Sequence, residues 1–525
     1  MRVLLVNPYY PIDETPTPPL GIAFLAAALE AAGIAVQVLD YVVFPYSRKH
    51  LAAAIDRFCP DLLGVTAVTM TFAAAATVVA DARIAAPDLF TVMGGPHVSF
   101  RAEETLNELS ALDAVVLGEG EQTLVALAQA LSGNRKLDSV SGMVFRRVDG
   151  ALQRTPPRPL CPDINGLPMP ARHLLPLGRY RALNLSISMT TSRGCPFQCI
   201  FCVGRKMVGA KVRYRDPAAV VDELEAITAM GFPQVNLADD LFTANADHCH
   251  AVCDEIIRRG LKVKWTSFAR VDTVSVPVLR KMKAAGCLAV SFGLESGSPA
   301  ILKTIRKKIT VDQMTAAATM CTTAGVTPHG SFILGLPGET EATVAETLAL
   351  GEKLEAMGVA YGFHLLAPFP GTEIREKAAD YGIRILTDDW SRYHANLSIV
   401  DTGGVAPERL DDIATGWKRR FDAWLGDVAR RMDTGEAAED EAAQLTNLRR
   451  TVAVYDAMMA ECLEKHGSWE APGAVPVAAL IDRVMPHQRR SREELTDAFT
   501  HAASLGLLQQ THTNGRVTWQ WRDYL

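Results

Sequence analysis

The sequence predicts an α/β protein of several domains, in which two strand–helix alternations precede a helical C-terminal region. The first observation is length, because 525 residues exceed what a single hydrophobic core organises. The second is a series of short apolar runs separated by helical patterns, which is typical of parallel sheets. The third is a change to long, charged helical stretches after about residue 405.

The composition is that of a soluble globular protein, with 48% hydrophobic and 21% charged residues. A net charge of -6 provides no overall basic field for nucleic acid or for a membrane surface. No run of about 18 uncharged apolar residues is present, so we expect no membrane span. The first residues, MRVLLVNPYYP, lack a small-residue cleavage site and are interpreted as a buried strand. The sequence therefore predicts a cytoplasmic protein.

Residues 1–135 predict a doubly wound parallel sheet. Its strands are RVLLVNP, AVQVLD, DLLGVTAVT, FTVMGGPH and AVVLGEGE. Ligands of such sheets bind beyond the carboxyl ends of the strands. Small residues and glycines at these ends favour a large flat ligand close to the backbone. The binding residues predicted here are Asn7, Thr69, Gly94, Gly95, Gly118, Glu119 and Gly120.

Residues 136–185 are predicted as a linker, because a hairpin-like piece is followed by the proline-rich RTPPRPLCPDINGLPMPAR.

Residues 186–400 resume the alternation with the strands LSISMTTS, QVNLAD, VKWTSFA, LAVSFGLES, HGSFILG and GFHLLAP. Six strand–helix units predict a partial (β/α)6 barrel of the TIM type, with its chemistry at the C-terminal mouth.

Residues 401–470 are predicted to form a helical region, and residues 471–525 are predicted to form a small C-terminal module. In this module two helices precede a hairpin around Asn514 and Gly515, and Ser491 and Glu494 form a capping-box pair. This order has the outline of a winged helix. DNA binding is one interpretation and a packing or substrate-docking role is the other. Arg489 and Arg490 are the only basic cluster nearby and the chain is acidic overall, which favours the second.

Three cysteines in TSRGCPFQCIFC (191–202) have the spacing C-x3-C-x2-C: Cys195, Cys199 and Cys202. They follow the first predicted barrel strand, so they lie at the barrel mouth. Structural zinc takes four ligands, and a [4Fe–4S] cluster normally takes four cysteines. Three thiolates leave one iron of such a cluster open to a substrate or cofactor. The other seven cysteines are scattered, which argues against a disulfide framework and predicts buried thiols.

This motif resembles the signature of the radical S-adenosylmethionine (radical SAM) superfamily, with the aromatic Phe201 before the last cysteine. The resemblance implies a [4Fe–4S] cluster whose open iron chelates S-adenosylmethionine (SAM), which is cleaved to a 5′-deoxyadenosyl radical. The segments NLADD, SFGLESGS and GSFILGLPGET are similar to its SAM-contacting segments. They imply SAM contacts by Asp239, Asp240, Glu295, Gly335 and Gly338, and the cysteine motif implies a further contact by Phe201. Arg270 in SFARVD pairs with the SAM carboxylate or forms a structural salt bridge.

The first domain resembles the cobalamin-binding domain that precedes the barrel in one class of these enzymes. PTPPLG (16–21), GGPH and GEGEQT carry this similarity. The D-x-H-x-x-G motif, which supplies a histidine to cobalt elsewhere, is absent. His97 is therefore interpreted as a hydrogen-bonding residue, and the axial ligand of cobalt stays open. The resemblance implies cobalamin as a third cofactor, with the substrate between cobalt and cluster.

The resemblance implies a cobalamin-dependent radical SAM methyltransferase, which moves a methyl group from SAM through methylcobalamin to an unactivated carbon or phosphorus centre of a small molecule. A cyclase or oxidative rearrangement enzyme with the same cofactors is one alternative. A cobalamin-sensing DNA-binding regulator is another, and it leaves the cysteine trio unexplained. A low-potential electron donor such as flavodoxin is the implied protein partner. His364 and Tyr361 on the last predicted strand either contact the substrate or fill the barrel core.

Overall fold

The computed structural model describes residues 1–9, 16–133 and 135–525. The first domain is a seven-stranded sheet with the order β2-β1-β3-β4-β5-β6-β7. The five predicted strands are all present and pair in parallel. The strands are β1 (Arg2–Asn7), β2 (Ala35–Asp40), β3 (Leu62–Thr66), β4 (Phe90–Gly94), β5 (Ala114–Val116), β6 (Met143–Arg146) and β7 (Leu152–Arg154).

The last two strands correct the predicted start of the linker. β6 pairs with β5 in antiparallel orientation, and β7 pairs with β6. The hairpin-like piece therefore belongs to the first sheet, which extends to Arg154 and not to residue 135. The physical reason is that β6 satisfies the backbone donors and acceptors of β5, which would otherwise form an open edge.

Helices cover both faces of this sheet. They are α1 (Leu20–Ala31), α2 (Arg48–Phe58), α3 (Phe72–Ala85), α4 (Pro96–Ser99), α5 (Ala102–Glu108) and α6 (Glu121–Ser132). Alternate residues of β1 enter two separate cores: Val3 and Leu5 pack in one, and Leu4 and Val6 in the other. A parallel sheet that is buried on both faces requires this apolar run. The core that contains Val3 continues into the second domain.

The linker contacts the first domain and the C-terminal region through α7 (Leu177–Ala182). The hydroxyl of Tyr180 donates to Asp40 at 2.7 Å in the buried interior of the first domain. The neighbouring Arg179 forms ion pairs with Glu464 and Asp523 of the C-terminal region. This short helix therefore fixes the C-terminal region to the first sheet.

The second domain is a six-stranded parallel sheet with the order β15-β14-β13-β12-β11-β8, and the six predicted strands are all present. Its sheet strands are β8 (Ile187–Met189), β11 (Val235–Leu237), β12 (Trp265–Ala269), β13 (Cys287–Glu295), β14 (Thr327–Leu334) and β15 (Ala360–Leu365). A separate antiparallel ribbon consists of β9 (Ser192–Arg193) and β10 (Arg213–Tyr214). β8 and β15 are the two edges of the sheet and do not pair, so the barrel is partial, as predicted.

Helices follow these strands in the alternation that the sequence predicts. They are α8 (Gly204–Val208), α9 (Pro217–Ala229), α10 (Ala246–Arg258), α11 (Val276–Ala284), α12 (Pro299–Thr304), α13 (Val311–Ala324), α14 (Glu341–Ala356) and α15 (Glu373–Glu376). A small ribbon of β16 (Arg384–Ile385) and β17 (Val400–Asp401) ends the domain. Among the described residues, no helix combines the length and the apolar character that a bilayer crossing requires.

The C-terminal region begins with two long helices and ends in a small sheet. Its elements are α16 (Pro407–Thr434), α17 (Glu439–Met459), α18 (Cys462–His466), β18 (Ser468–Glu470), α19 (Val477–Val484), α20 (Arg492–Ser504), β19 (Leu508–Thr513) and β20 (Arg516–Trp521). The predicted hairpin is present, and Asn514 and Gly515 both have positive φ, as a two-residue turn needs. The capping box of Ser491 and Glu494 is also present.

One strand moves the boundary of the C-terminal module. β18 lies in the segment predicted as a helical region, yet it pairs with β20 in the sheet β18-β20-β19. The sequence did not show this because Ser468–Glu470 has only three residues, too few for a period of two. The winged-helix interpretation of this module stays a prediction.

Candidate functional site

The two sheets face each other across a cavity of about 390 Å³. The first domain lines it with Gly64–Thr66, Gly94–Pro96 and Gly118–Glu121, and the second with Thr190, Ser192, Arg193, Ala238 and Asp240. These residues follow or end the strands of both sheets, where ligands of parallel sheets bind. Five of the predicted cobalamin-binding residues lie on this cavity: Gly94, Gly95, Gly118, Glu119 and Gly120.

The cavity suits a large flat cofactor. A Cβ added to Gly21 or to Gly118 would meet no atom within 4 Å, so the missing side chains leave open space. Leu5, Val92 and Val116 provide an apolar lining. Among the described residues that line the cavity there is no histidine. A cobalamin held here would therefore lie close to backbone and apolar surface, without an imidazole from this lining.

The other two predicted cobalamin residues have contacts within their own domain. The amide of Asn7 donates to Asp40 at 2.8 Å. Thr69 Oγ1 lies 3.2 Å from His97 Nδ1, so His97 is a hydrogen-bonding residue, as predicted. Burial, assisted by Arg101 and Arg375, lowers the pKa of His97 to about 3. Neither Asn7 nor Thr69 belongs to the described lining of the cavity, and their role toward cobalamin stays a prediction.

Four charged residues join the first domain to the ribbon that precedes and follows the cysteines. Arg213 contacts Glu119 at 2.7 Å, and Arg193 contacts Glu121 at 2.8 Å. Burial tends to raise the pKa of Glu119, but hydrogen bonds from Arg213 and from the Cys161 amide, with the charge of Arg193, outweigh it and lower this pKa. Glu119 is therefore ionised, and it holds the two domains together at the cavity edge. The sequence did not reveal the two arginines as its partners.

The cysteine loop leaves the barrel at the carboxyl end of β8. Gly194 has φ +122°, and a Cβ there would lie 2.5 Å from the carbonyl oxygen of Lys211, so only glycine fits at this close approach. The amide of Cys195 donates to Gly209, and that of Cys202 donates to Cys199. All three thiols are free, and Cys202 is exposed. The loop thus presents three unpaired thiols at the barrel mouth.

Two aspartates brace this loop. The buried carboxylate of Asp239 accepts hydrogen bonds from the amide of Thr191 at 2.6 Å and from the hydroxyl of Ser192 at 2.7 Å. Burial raises the pKa of Asp239 despite these bonds. Asp240 accepts a bond from the Gly194 amide at 3.2 Å and lines the cavity. Both residues therefore set the start of the loop, and their predicted SAM contacts stay predictions.

Arg270 and Glu295 lie beside the same loop. Arg270 forms a salt bridge with Asp272 at 2.9 Å, and its guanidinium stacks 3.6 Å from the centre of the Phe197 ring. The structural salt bridge, one of the two interpretations of Arg270, is thus present. Glu295 pairs with Lys307 at 2.6 Å, and the Lys307 ammonium lies 6.0 Å from the centre of the Phe201 ring. Sequence reasoning missed Lys307, although it stands in the lysine pair of TIRKKIT.

The glycine-rich segment after β14 folds around a buried acid. The amides of Gly335 and Leu336 donate to Glu339 Oε2 at 2.6 and 3.1 Å. The other carboxyl oxygen of Glu339 has no partner among the described residues. Burial raises the pKa of Glu339 to about 7. Gly338 precedes this acid with φ +83°. Glu339 stands in GLPGET, but the sequence did not show that its side chain turns inward.

The remaining cysteines are mostly buried, as expected. Cys249, Cys253, Cys287, Cys321 and Cys462 are buried, whereas Cys59 is exposed and Cys161 is half-buried. Cys59 differs because it caps the end of α2 in a left-handed conformation. No group of three or more His, Cys, Asp or Glu side chains within the described ranges is placed to hold a single metal ion. A [4Fe–4S] cluster takes one thiolate per iron, so its ligands stand farther apart than those of one ion.

The geometry defines a class of protein: a partial barrel with a cysteine trio at its mouth, facing a glycine-lined cofactor cavity. Residues 13–128 match the family described as B12 binding domain, and residues 189–351 match the Radical SAM superfamily. An uncharacterized methyltransferase of Pyrococcus horikoshii is 36% identical over 403 residues, which cover 75% of this chain and 86% of that protein. The chain therefore belongs to the cobalamin-binding radical SAM enzymes.

Two further comparisons agree with this family. The anaerobic magnesium-protoporphyrin IX monomethyl ester cyclase of Rubrivivax gelatinosus is 29% identical over 441 residues, covering 80% of this chain and 77% of that protein. The structure of the cobalamin-dependent SAM radical enzyme OxsB, with aqua-cobalamin and SAM bound, has a TM-score of 0.69. It covers 96% of this chain and 79% of that chain at 17% identity, which shows a common fold.

Proposed function

We propose that the protein is a methyltransferase that moves a methyl group from SAM, by way of cobalamin, to an unactivated carbon or phosphorus centre of a small molecule. The shared cavity is the observation that carries this proposal. Ser192 and Asp240 at the cysteine loop line the same space as Gly94 and Gly118 of the first domain. When bound, the cluster with SAM supplies a carbon-centred radical, and the cobalamin supplies the methyl group.

The protein residues provide position and a dry environment for this chemistry. Cys195, Cys199 and Cys202 would hold the cluster, and Lys307 keeps the carboxylate of Glu295 in place beside it. The ion pairs of Arg193 and Arg213 hold the cofactor cavity against the barrel mouth. A closed interface excludes water, which protects a reactive radical from side reactions.

The substrate site is proposed at the barrel mouth. Phe268 of β12 is 55% exposed between the buried Ser267 and Ala269, which offers an apolar contact. Tyr361 packs against Trp417 of α16 with ring centres 4.4 Å apart, so it lies on the helical side of β15. His364, three residues later, is exposed and points to the other face of the strand. We retain His364 as the candidate substrate contact.

Two alternatives to methyl transfer are a different reaction with the same cofactors and a regulatory role without a reaction. The similarity to a cyclase of Rubrivivax gelatinosus supports a cyclisation or oxidative rearrangement with the same cofactors. The regulator alternative needs DNA binding by residues 471–525, and the family to which the chain belongs does not favour it.

All ten cysteines are free, which supports a reducing compartment. We therefore propose a cytoplasmic enzyme that receives electrons from a low-potential donor such as flavodoxin.

The test is a product analysis of anaerobically purified protein with a rebuilt cluster, cobalamin, SAM and dithionite. S-adenosylhomocysteine and 5′-deoxyadenosine are quantified by mass spectrometry for the wild type and for Cys199→Ala. Cys59→Ala is the matched control, because Cys59 is exposed on the first domain. Both products in the wild type and the control, and neither in Cys199→Ala, support methyl transfer. Deoxyadenosine alone favours the cyclase alternative. Neither product from wild type with an intact cluster contradicts the proposal.

A further inference from the structure

We propose that the surface around the cysteine loop is the docking site of an acidic, low-potential electron-carrier protein. This inference rests on the proposed function, because radical cleavage of SAM consumes an electron that the cluster must receive from outside. We define the cysteine rim as the five cationic residues of this surface, and the following contacts show how they are placed. They are Arg205, Lys206, Lys211, Lys303 and Lys308.

The rim is a concentration of positive charge in an acidic chain. Residues 196–215 and 299–311 contain nine Lys and Arg residues and no Asp or Glu, whereas the whole chain has a net charge of -6. Four of the nine are paired with carboxylates: Arg213 with Glu119, Arg215 with Glu223, Arg306 with Glu373 and Lys307 with Glu295. The five residues of the cysteine rim form no ion pair with any described carboxylate. Their charge is therefore available to a partner.

Both stretches contact the cysteine loop directly. The guanidinium of Arg205 donates to the Pro196 carbonyl at 2.6 Å. The Lys211 carbonyl packs against Gly194, next to Cys195. On the other side, the Arg306 carbonyl lies 4.0 Å from the sulfur of Cys199, and the amide of Arg306 donates to the Lys303 carbonyl. The two stretches that carry the rim residues thus both contact the cysteine loop.

The centre of this surface is open to solvent. Cys202 is exposed, and so are the side chains of Lys206, Lys211, Lys303 and Lys308. Ser192, Arg193 and Asp240, at the start of the loop, line the cofactor cavity instead. An external protein therefore reaches a cluster on these cysteines most directly across the rim. Here one electron passes from the reduced flavin or iron–sulfur group of the donor, which is oxidised by one electron, to the cluster.

Charge complementarity identifies the donor as an acidic protein. A positive rim attracts a partner with a negative surface and raises its association rate, and salt screens this effect. Nucleic acid is also negative, but a phosphate backbone would gain nothing from the exposed thiol at the centre of the rim. Because the unpaired charges of the cysteine rim lie next to a redox site, they favour an electron carrier over nucleic acid as the partner of this surface.

The experiment compares Lys303→Glu/Lys308→Glu with Lys262→Glu/Lys264→Glu. The control pair makes the same charge change at exposed residues that precede β12, at the amino end of the barrel strands. Each protein, with its cluster rebuilt, is mixed anaerobically with reduced flavodoxin at low ionic strength, and bleaching of the cluster is followed by stopped flow. We expect about tenfold slower reduction for the rim variant only, a difference that shrinks as salt is added.

Dithionite needs no docking site, so it should reduce all three proteins at equal rates. Equal rates with flavodoxin would overturn the docking site. Binding of each protein to a fluorescent single-stranded oligonucleotide is measured as well. If the rim variant loses this binding while its reduction by flavodoxin is unchanged, the docking site is overturned and the rim is assigned to nucleic acid. Absence of both SAM products with dithionite would contradict the proposed function, whereas the flavodoxin bleaching rates would still test the rim separately.

Discussion

The ammonium nitrogen of Lys307 lies 2.6 Å from Oε1 of Glu295, and each side chain is only 8% exposed. Lys307 stands between Arg306 and Lys308, which both have positive φ, so the backbone turns sharply to bring it inward. Partial burial raises the pKa of the Cys199 thiol, and the charge of Lys307 opposes that rise. The pair therefore connects the carboxylate predicted to contact SAM with the loop predicted to hold the cluster.

Loss of Lys307 should destabilise the barrel through the charge that it leaves behind. In Lys307→Met the carboxylate of Glu295 stays buried without a partner, which typically costs about 3–5 kcal/mol. The double variant Glu295→Gln/Lys307→Met removes both charges and should recover most of this loss. Urea unfolding of the cluster-free protein, followed by circular dichroism, measures both. Equal destabilisation of the single and double variants would show that packing, and not the charge, causes the loss.

A side chain at Gly21 should close the cobalamin cavity. Gly21 is the second residue of α1, lines the cavity and has no atom within 4 Å of an added Cβ. Gly21→Leu should therefore fold normally and bind cobalamin at least about tenfold more weakly, since overpacking costs roughly 1–3 kcal/mol. Titration with hydroxocobalamin, followed by absorbance, gives the Kd.

Gly426→Leu is the matched control for this change. Gly426 is also an exposed helical glycine with no atom within 4 Å of an added Cβ, and it lies in α16. Its affinity for cobalamin should equal that of the wild type. Unchanged affinity in Gly21→Leu would mean that the cofactor occupies a different part of the first domain.

Gly371 should be required for the contact between the two domains. It has φ +81°, and a Cβ there would overlap the ring of Phe100. Gly382 has φ +63° with no atom within 4 Å of an added Cβ. Both Ala substitutions carry the backbone strain of positive φ, about 1 kcal/mol, but only Gly371→Ala adds a clash of about 1–3 kcal/mol. Limited proteolysis and urea unfolding should show a larger loss for Gly371→Ala, and equal losses would argue against a tight interface here.

Glu339 should make stability depend on pH. Its pKa is raised by burial from 4.5 to about 7, so the folded protein keeps a proton that the unfolded chain loses above about pH 4.5. Stability is therefore fully present below about pH 4.5 and falls as pH rises to about 7, by about 3 kcal/mol in total. Glu339→Gln should flatten this dependence in urea unfolding between pH 5 and pH 8. The exposed Glu341→Gln should leave it unchanged, and a wild-type slope in Glu339→Gln would assign the titration to another group.

Local patterns were sufficient for the architecture. Short continuous apolar runs between helical patterns located five parallel strands of the first sheet and all six of the second, because burial of both sheet faces imposes that composition. The fixed spacing of Cys195, Cys199 and Cys202 identified the loop at the end of β8. Short strands with little periodicity, such as Ser468–Glu470 and Leu152–Arg154, were placed in the wrong segment. Their position depends on the edges they pair with.

The sequence by itself determined which strand ends carry small residues, which three thiols share a loop and which family motifs are present, because these features are local in the chain. Only the tertiary structure decided the partners of the charged side chains. Glu119 meets Arg213 from 94 residues away, and Glu121 meets Arg193 from 72 residues away. Such pairs are selected by desolvation, since a charge buried at an interface requires an opposite charge there. No local pattern in the sequence identifies which residue provides that opposite charge.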